Sequence, residues 1–513
     1  MPNLEWGQTW PSLEEFTELA HDRRVLPVVR KLLVDDVTPV SVYRNLAKGL
    51  PGTFVLESAE SDGTWGRYSF VGVHSPATLT LADGKALWTG EVPKDLADTG
   101  NPIDLLAQIL DALATPKTEG LPPLTGGLVG SLGWDVVRFW EPTLPATSPT
   151  ELDVPPITLA LAQDLVVIDH AESAVWLISN AINWDNQPER VEEAWKHAVD
   201  RIDQMHGELL QPVVAHPMAV DPDAQAPQLR ARWAAEDFQE AVRTAKQAIV
   251  DGEVFQVVLS QRADLDYAGD PFEVYRVLRT INPSPYMYYV RLADAAGKEF
   301  SVVGSSPETL VKVQDREVTT FPIAGSRPRG ATVEEDHKLV EELLADPKEL
   351  SEHLMLVDLS RNDLAKVCEP ESVEVVDFME IKKYSHIMHI CSTVNGKLRR
   401  EASAVDTLKA TFPAGTLSGA PKPRAVALID ELEPARRGIY GGTIGYFDFA
   451  GNMDMAIAIR TALIKDGVAS VQAGAGIVAD SVPETEFAES YNKAQAAVRA
   501  VQLAAKLHKG QPR

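Results

Sequence analysis

Two pairs of glutamates stand out first. Glu349 and Glu352, and Glu486 and Glu489, each lie three residues apart in stretches that read as helical, so each pair shares a helix face. Carboxylates arranged in this way can give one ligand each to a hard cation. Mg²⁺ takes one or two protein carboxylates and leaves its other positions to water and substrate. The pairs are expected to be free of basic partners, although any single glutamate reads equally as part of a solvated face. His386 and His389, in Tyr384-Ser-His-Ile-Met-His-Ile390, are candidates for acid–base work near neutral pH. A histidine on an apolar run also reads as a hydrogen-bonded core residue.

Further segments combine glycine with hydroxyls and cations. Phe321-Pro-Ile-Ala-Gly-Ser-Arg-Pro-Arg-Gly330 could offer backbone N–H groups, a hydroxyl and two arginines to a carboxylate, or could be a surface turn. Gly415-Thr-Leu-Ser-Gly-Ala-Pro-Lys422 could close over an anion. Arg437-Gly-Ile-Tyr-Gly-Gly442 and Arg460 add guanidiniums suited to bidentate carboxylate binding. Gly474 and Gly476 interrupt the strand-like run Val471–Val478, as happens where a ligand or another backbone approaches closely. Neither a dinucleotide fingerprint nor a phosphate-binding P-loop is present.

The elements that must position these residues are partly visible. Phe238, Val242, Ala245 and Ile249 form one face of a helix over Glu236–Val250, with Gly252 as its stop and a buried strand over Val254–Leu259. Helices are expected over Glu334–Leu344 and Leu350–Asp358. A last helix should start near Ser481, which has capping-box spacing to Glu484, with Ala494, Val498, Val501 and Ala505 as its apolar stripe. The first 230 residues read as strand-rich, with short apolar runs such as Thr53–Leu56, Leu165–Ile168 and Val175–Ile178. Gln211–Gln228 reads as a linker. This alternation of strands and helices gives an α/β or α+β fold with sizeable sheets.

Composition narrows the function. The 513 residues correspond to about three domains by length alone. With 48 Lys+Arg against 74 Asp+Glu, the net charge is −26, which argues against binding a nucleic-acid backbone. Only two cysteines occur, Cys368 and Cys391, both in apolar surroundings, so a disulfide framework and a cysteine-rich zinc site are excluded. The start lacks a signal-peptide pattern, and no stretch approaches the about 20 apolar residues of a membrane span. A cytoplasmic protein is expected.

Taken together and in order, the strings PIAGSRPRG, KELSEHLMLVDLSRNDLAKV, YSHIMH, FPAGTLSGAPK, GIYGGTIGY and QAGAGIVADSVPETEFAESYNKA closely resemble the chorismate-utilising enzymes. The resemblance is most specific over about residues 235–505. It implies one large α/β (α+β) unit with two packed, mostly antiparallel sheets surrounded by helices. Residues 1–230 would contribute a tryptophan-binding site and residues 231–513 the chorismate-binding catalytic region. It further implies a Mg²⁺-dependent lyase of the anthranilate-forming branch, which aminates chorismate and eliminates pyruvate in the first step of tryptophan biosynthesis. Carried over residue by residue, Glu352 and Glu489 match the metal carboxylates. Gly325, Ser326, Tyr440, Arg460, Gly474, Ala475 and Gly476 match substrate-binding positions, and His389, Glu308 and Thr416 match catalytic ones. Ser326 stands where the pattern usually has threonine, and it keeps the hydroxyl.

Within the family, Ala324 is informative. Aminodeoxychorismate-forming relatives commonly carry a nucleophilic lysine there, whereas alanine leaves ammonia to attack chorismate directly. The aminodeoxychorismate-forming and the isochorismate- or salicylate-forming branches are the alternatives. Val55-Leu-Glu-Ser58 and Asn282-Pro-Ser-Pro-Tyr-Met-Tyr-Tyr289 resemble the segments that bind feedback tryptophan, with Ser58, Pro285, Tyr286 and Met287 at the matched positions. A non-catalytic amino-acid sensor would keep only these segments, but Glu352, Glu489 and His389 are all present. No G-x-C-x-G string marks a fused glutaminase, so a separate glutamine amidotransferase subunit is the expected source of ammonia.

Overall fold

The computed structural model describes residues 5–59, 66–93, 96, 100–212, 217–383 and 387–509. The short apolar runs of the first 230 residues become strands, including Thr53–Glu57, Asp164–Asp169 and Ala174–Ile182. The last two are buried at every residue. That is the signature of a strand covered on both faces, here by a second sheet on one side and helices on the other.

Two large sheets result, and every strand pair in them is antiparallel. The 13-stranded sheet runs from Thr9–Trp10 at one edge through Val25–Leu33, Ala174–Ile182 and Thr53–Glu57 to Tyr286–Ala293, Glu299–Ser306, Val468–Ile477 and Gln256–Asp266. The 11-stranded sheet starts at Ile323–Pro328 and Ile387–Lys397. It continues through Thr309–Gln314, Met453–Ile457 and Thr443–Asp448 to Gly127–Leu132 and Ile157–Ala162. Strands from both ends of the chain pair directly: Thr53–Glu57 lies beside Tyr286–Ala293, and Gly127–Leu132 beside Thr443–Asp448. Phe54, Tyr288 and Val302 of the first sheet meet Val129, Ile444 and Ala456 of the second in a common core. The helices Val191–Leu209, Pro271–Ile281 and Pro483–Ala504 cover the first sheet's other face through Ile202, Tyr275 and Val498.

Helices Ala235–Val250 and Val333–Leu344 form where periodicity places them, and Gly252 takes a φ of 79° just past the first. Four local expectations are corrected. The strand expected from Val254 begins at Gln256 and runs on to Asp266. Ser481 does not cap the last helix. The cap is Val482, and the Ser481 hydroxyl accepts a hydrogen bond of 3.1 Å from the Val478 N–H in the preceding turn. Pro483 at the first helical position lacks one of the N–H groups a cap would serve. Within the expected linker, residues 213–216 lie outside the described residues, and Met218–Val220 forms a two-stranded sheet with Leu507–Lys509. The strand-rich region also holds a 19-residue helix, Val191–Leu209, which buries Ala198, Ile202 and Met205. Cys368 and Cys391 are buried free thiols, and among the described residues no helix is long and apolar enough to cross a membrane.

One buried ion pair ties several elements together. Arg437 and Glu433 meet at 2.6 Å with side chains 1% and 2% exposed. Glu433 also accepts from the Ser260 N–H and hydroxyl, and Arg437 donates to the carbonyls of Val258 and Leu417. Trp134 and Tyr440 lie against the guanidinium at 4.3 and 5.4 Å. Removing one partner of a buried pair strands the other charge, so Glu433→Ala should cost about 3–5 kcal/mol. Urea unfolding at unchanged m-value should report that loss, and a cost under about 1 kcal/mol would show that the pair is not a structural clamp.

Candidate active site

The turn after strand Glu299–Ser306 delivers Glu308 into a pocket shared with Thr416, Leu356, Leu359 and Ser360. The Thr416 hydroxyl donates to the Glu308 carboxylate at 2.7 Å. Burial pushes the Glu308 carboxyl up to about 7, against the opposing pull of that hydrogen bond and of Lys493 and Arg460. A group so placed holds or yields a proton near neutral pH. Arg460 ends the turn after Met453–Ile457 with φ at 49°, a left-handed conformation that costs a non-glycine residue energy and recurs at functional sites. Burial lowers the pKa of its guanidinium while Glu308 nearby raises it. No described residue forms a side-chain ion pair with Arg460 at 4 Å or less, so it is free to meet an anion.

His389 lies on strand Ile387–Lys397, opposite Ser326 of Ile323–Pro328. The Ser326 hydroxyl and His389 Nδ1 share a hydrogen bond of 2.7 Å. Burial, helped by Arg460, pushes the imidazole down to about 4, so it is neutral at physiological pH and can accept a proton. Gly325 sits in a bulge beside this pair with φ at 78°. His386, Tyr384 and Ser385 lie outside the described residues.

The glutamate pairs come from two helices, Pro347–Ala365 and Pro483–Ala504. Burial raises the Glu352 carboxyl, with Glu349 and Glu489 adding repulsion. Burial likewise raises Glu486, again with Glu489 contributing. The expectation that these glutamates lack basic partners is corrected. Lys493, one turn on, meets Glu489 at 2.7 Å, and Arg327 meets Glu349 at 3.3 Å. That leaves Glu352 as a half-buried carboxylate with no ion pair of its own among the described residues, near the carboxylates of Glu349 and Glu489 and the ammoniums of Lys348 and Lys493. Among the described residues no group of three or more His, Cys, Asp or Glu forms a preformed metal cage. Two facing carboxylates, with water and substrate completing the shell, are the donor set that suits Mg²⁺, so Glu352 and Glu489 fit that ion.

The glycine strand Val468–Ile477 pairs with Gln256–Asp266, which sets Gly474 opposite Ser260 and Gly476 opposite Val258. A Cβ at Gly474 would lie 2.9 Å from the Tyr440 hydroxyl, and one at Gly476 would lie 2.5 Å from Gln256 Nε2. At Gly474 the Leu259 carbonyl, 2.7 Å from such a Cβ, makes glycine necessary, whereas at Gly476 only the end of the Gln256 side chain would have to move; buried Ala475 lies between. Tyr440 is near enough to Glu308 for that carboxylate to raise its phenol pKa, behind the larger effect of burial.

A second cavity lies between the sheets. It is lined by Ser58, Pro285, Tyr286 and Met287 from the first sheet and by Lys312, Tyr446 and Asp454 from the second. Tyr286 donates to Asp454 at 2.8 Å and shares a bond of 3.0 Å with Thr309. Burial pushes the Asp454 carboxyl up to about 6.

Several cations proposed from sequence serve the fold instead. Arg327 pairs with Asp346 at 2.8 Å, and Arg329 with Asp336 at 2.6 Å. Lys422 is held by Asp363 at 2.6 Å, and Arg437 by Glu433. Gly415–Ser418 is a short helical turn, not an open loop. Sequence reasoning missed Lys312, Tyr446 and Asp454. Their alternation along Thr309–Gln314, Thr443–Asp448 and Met453–Ile457 is visible, but only the sheet pairing turns them toward Tyr286.

Comparison with known proteins places the whole chain in one family. The model of a family described as chorismate binding enzyme matches residues 54–499. Anthranilate synthase component 1 of Arthrobacter globiformis is 55% identical over 500 residues, covering 97% of this chain and 94% of that protein. The protein of the same description from Mycolicibacterium smegmatis is 51% identical, with 97% and 94% covered. The crystal structure of anthranilate synthase component I from Streptococcus pneumoniae superposes with a TM-score of 0.73 at 34% identity, covering 86% of this chain and 94% of that one. The menaquinone-specific isochorismate synthase of Escherichia coli shares the fold, with a TM-score of 0.68 at 18% identity over 96% and 98% of the two chains.

The neutral state of His389 is directly testable. In ¹⁵N-histidine NMR its ring should stay neutral through pH 6 and titrate near 4. A midpoint at the ordinary value of about 6.5 would show that the ring is not desolvated.

Proposed function

The chain belongs to the chorismate-binding enzymes, in the company of the anthranilate synthase component 1 proteins, and on that premise we propose how its residues convert chorismate and ammonia to anthranilate and pyruvate. The observation that carries the reading is the Glu308–Thr416–Arg460 arrangement, a carboxyl near neutrality beside an uncommitted guanidinium. Arg460 and the backbone of Gly474–Gly476 hold the substrate's carboxylates, and Tyr440 and Gly325 border its ring. Glu308 donates its proton to the departing C4 hydroxyl as the amine attacks C2. In the elimination that follows, the ring loses its C2 proton as the C3–O bond breaks, and the enolpyruvate released takes up a proton at its methylene carbon to become pyruvate. His389, neutral and oriented by Ser326, is the group suited to take that proton.

A Mg²⁺ ion held by Glu352 and Glu489 would supply Lewis-acid polarisation of the leaving hydroxyl. Ala324 offers no nucleophile, so ammonia itself attacks. A second component supplies it, a glutamine amidotransferase in our reading, with free ammonium salts able to substitute. The inter-sheet cavity takes L-tryptophan as feedback inhibitor, and the setting is cytoplasmic.

Chorismate, an ammonium salt and Mg²⁺ should give anthranilate, identified by fluorescence and mass. Isochorismate or salicylate as product would overturn the reading. Glu308→Gln should lower kcat by about 10²–10⁴. At fixed free ammonia, kcat should fall as pH rises through about 7, because the proton that Glu308 donates is lost above its pKa. A profile flat from pH 6 to 8 would count against Glu308 as the acid. Ser58→Leu, which takes up space in the cavity, should raise the tryptophan concentration for half-inhibition by about tenfold or more. Unaltered inhibition would reject the cavity as the inhibitor's site.

A further inference from the structure

His353 follows Glu352 on helix Pro347–Ala365, yet it points the other way and is fully buried. Its Nε2 makes a hydrogen bond of 2.7 Å with the Ser392 hydroxyl, which is 1% exposed. The same hydroxyl accepts a bond of 2.9 Å from the Met379 N–H. Met379 has φ at 56° and lies in a bulge of strand Glu374–Lys383. Which of Nε2 and the hydroxyl donates follows the ring tautomer, and Nδ1 is buried with no hydrogen-bond partner among the described residues, so the Ser392 bond is the ring's single polar anchor there. A single imidazole thus joins two pieces of the site: the helix bearing Glu352 and the strand bearing both Ser392 and His389.

The surroundings explain why the link matters. The first turns of this helix, which carry Glu349 and Glu352, meet through Leu350 only a small satellite core of Leu343, Met388 and Ile390, while Val357 and Leu364 further along are anchored in the main core. Apolar packing is non-directional and tolerates sliding, whereas a buried hydrogen bond fixes one register. On its other side Glu352 senses the carboxylates of Glu349 and Glu489, offset in part by the ammoniums of Lys348 and Lys493.

We propose that His353 is a positioning residue that, through Ser392, fixes the helix bearing Glu352 against the strand bearing His389 and so sets the affinity for a divalent cation shared by Glu352 and Glu489. This rests on the metal reading above. It assigns His353 no contact with substrate or metal.

The test is Mn²⁺ binding to the full chain followed by electron paramagnetic resonance, with no chorismate present, alongside the melting temperature. His353→Leu and Ser392→Ala should each weaken Mn²⁺ binding by about 10–100-fold, the range typical for partners behind a metal ligand. The double variant should be no weaker than the worse single one, because both remove the same bond. His353→Gln, which keeps a polar atom near the position of Nε2, should restore binding to within about threefold, a recovery that stability alone would not track. If His353→Leu fails to fold, Ser392→Ala carries the test, since it removes only an oxygen. Unchanged Mn²⁺ affinity in Ser392→Ala, with Glu352→Gln abolishing binding, would overturn the positioning role alone. Binding that survives Glu352→Gln would overturn the metal reading and this inference together.

Discussion

The Glu433–Arg437 pair is the constraint on which the catalytic half is hung. A buried charge pair survives only when its remaining donors and acceptors are satisfied, and here the satisfying groups are the site's own framework. Ser260 and Val258 belong to the strand that pairs with Gly474 and Gly476. Leu417 follows Thr416 in the turn that positions Glu308. Tyr440 packs on the guanidinium with its hydroxyl over Gly474. Gly474 and Gly476, the Thr416 hydroxyl on Glu308 and the Tyr440 phenol are therefore referenced to one buried point. None of them can drift without exposing a charge to a low-dielectric interior.

Electrostatics then divides the site in two. The chain carries a net charge of −26, and its substrate, in our reading, is itself an anion. Long-range attraction cannot bring them together, so binding depends on local groups. Most guanidiniums near the site are already spent on Asp346, Asp336 and Glu433. Arg460, held in a left-handed backbone conformation, is a guanidinium with no side-chain ion pair among the described residues. On the opposite side Glu349, Glu352 and Glu489 repel one another, with Lys348 and Lys493 offsetting part of it, and in our reading a divalent cation would offset the rest. One carboxyl raised by burial, Glu308, sits between the two regions and stays titratable near neutrality.

Much of this was legible before any coordinates. Helix Ala235–Val250 was written in its periodicity, and the strands of the first 230 residues in short apolar runs bounded by turn residues. The order of motifs pointed to the chorismate-utilising family, and the structure gathers Glu308, Thr416, Ser326, His389, Arg460 and Tyr440 into one region. What remained illegible depends on partners distant in sequence. Whether an arginine is free or spent turns on a carboxylate elsewhere: Arg327 and Arg460 look alike in the sequence, and only the fold gives Arg327 to Asp346. Ser481 had the right spacing for a cap, but its hydroxyl was claimed by the turn before it. Asp454 carries no motif at all, and it gains meaning only because antiparallel pairing brings its strand into the cavity beside Tyr286.

That same pairing places the two cavities one residue apart. The Tyr286 hydroxyl, at the wall of the inter-sheet cavity, bonds to Thr309, and Thr309 follows Glu308 along the chain. Tyr286 also binds Asp454, on the strand whose end, Ile457, donates its N–H to the Glu308 carbonyl at 3.0 Å. A ligand that moves the Tyr286 ring must break or re-aim both bonds, and each ends on a side chain, Thr309 or Asp454, of a segment whose backbone adjoins or bonds Glu308. Coupling between two sites is reciprocal. If tryptophan in one cavity shifts Glu308 away from the geometry that receives chorismate, chorismate in the other must weaken tryptophan by the same factor. The inhibitor then needs no overlap with the substrate, because the two compete for the placement of a single turn, Ser306–Thr309, which the sheets hold between them.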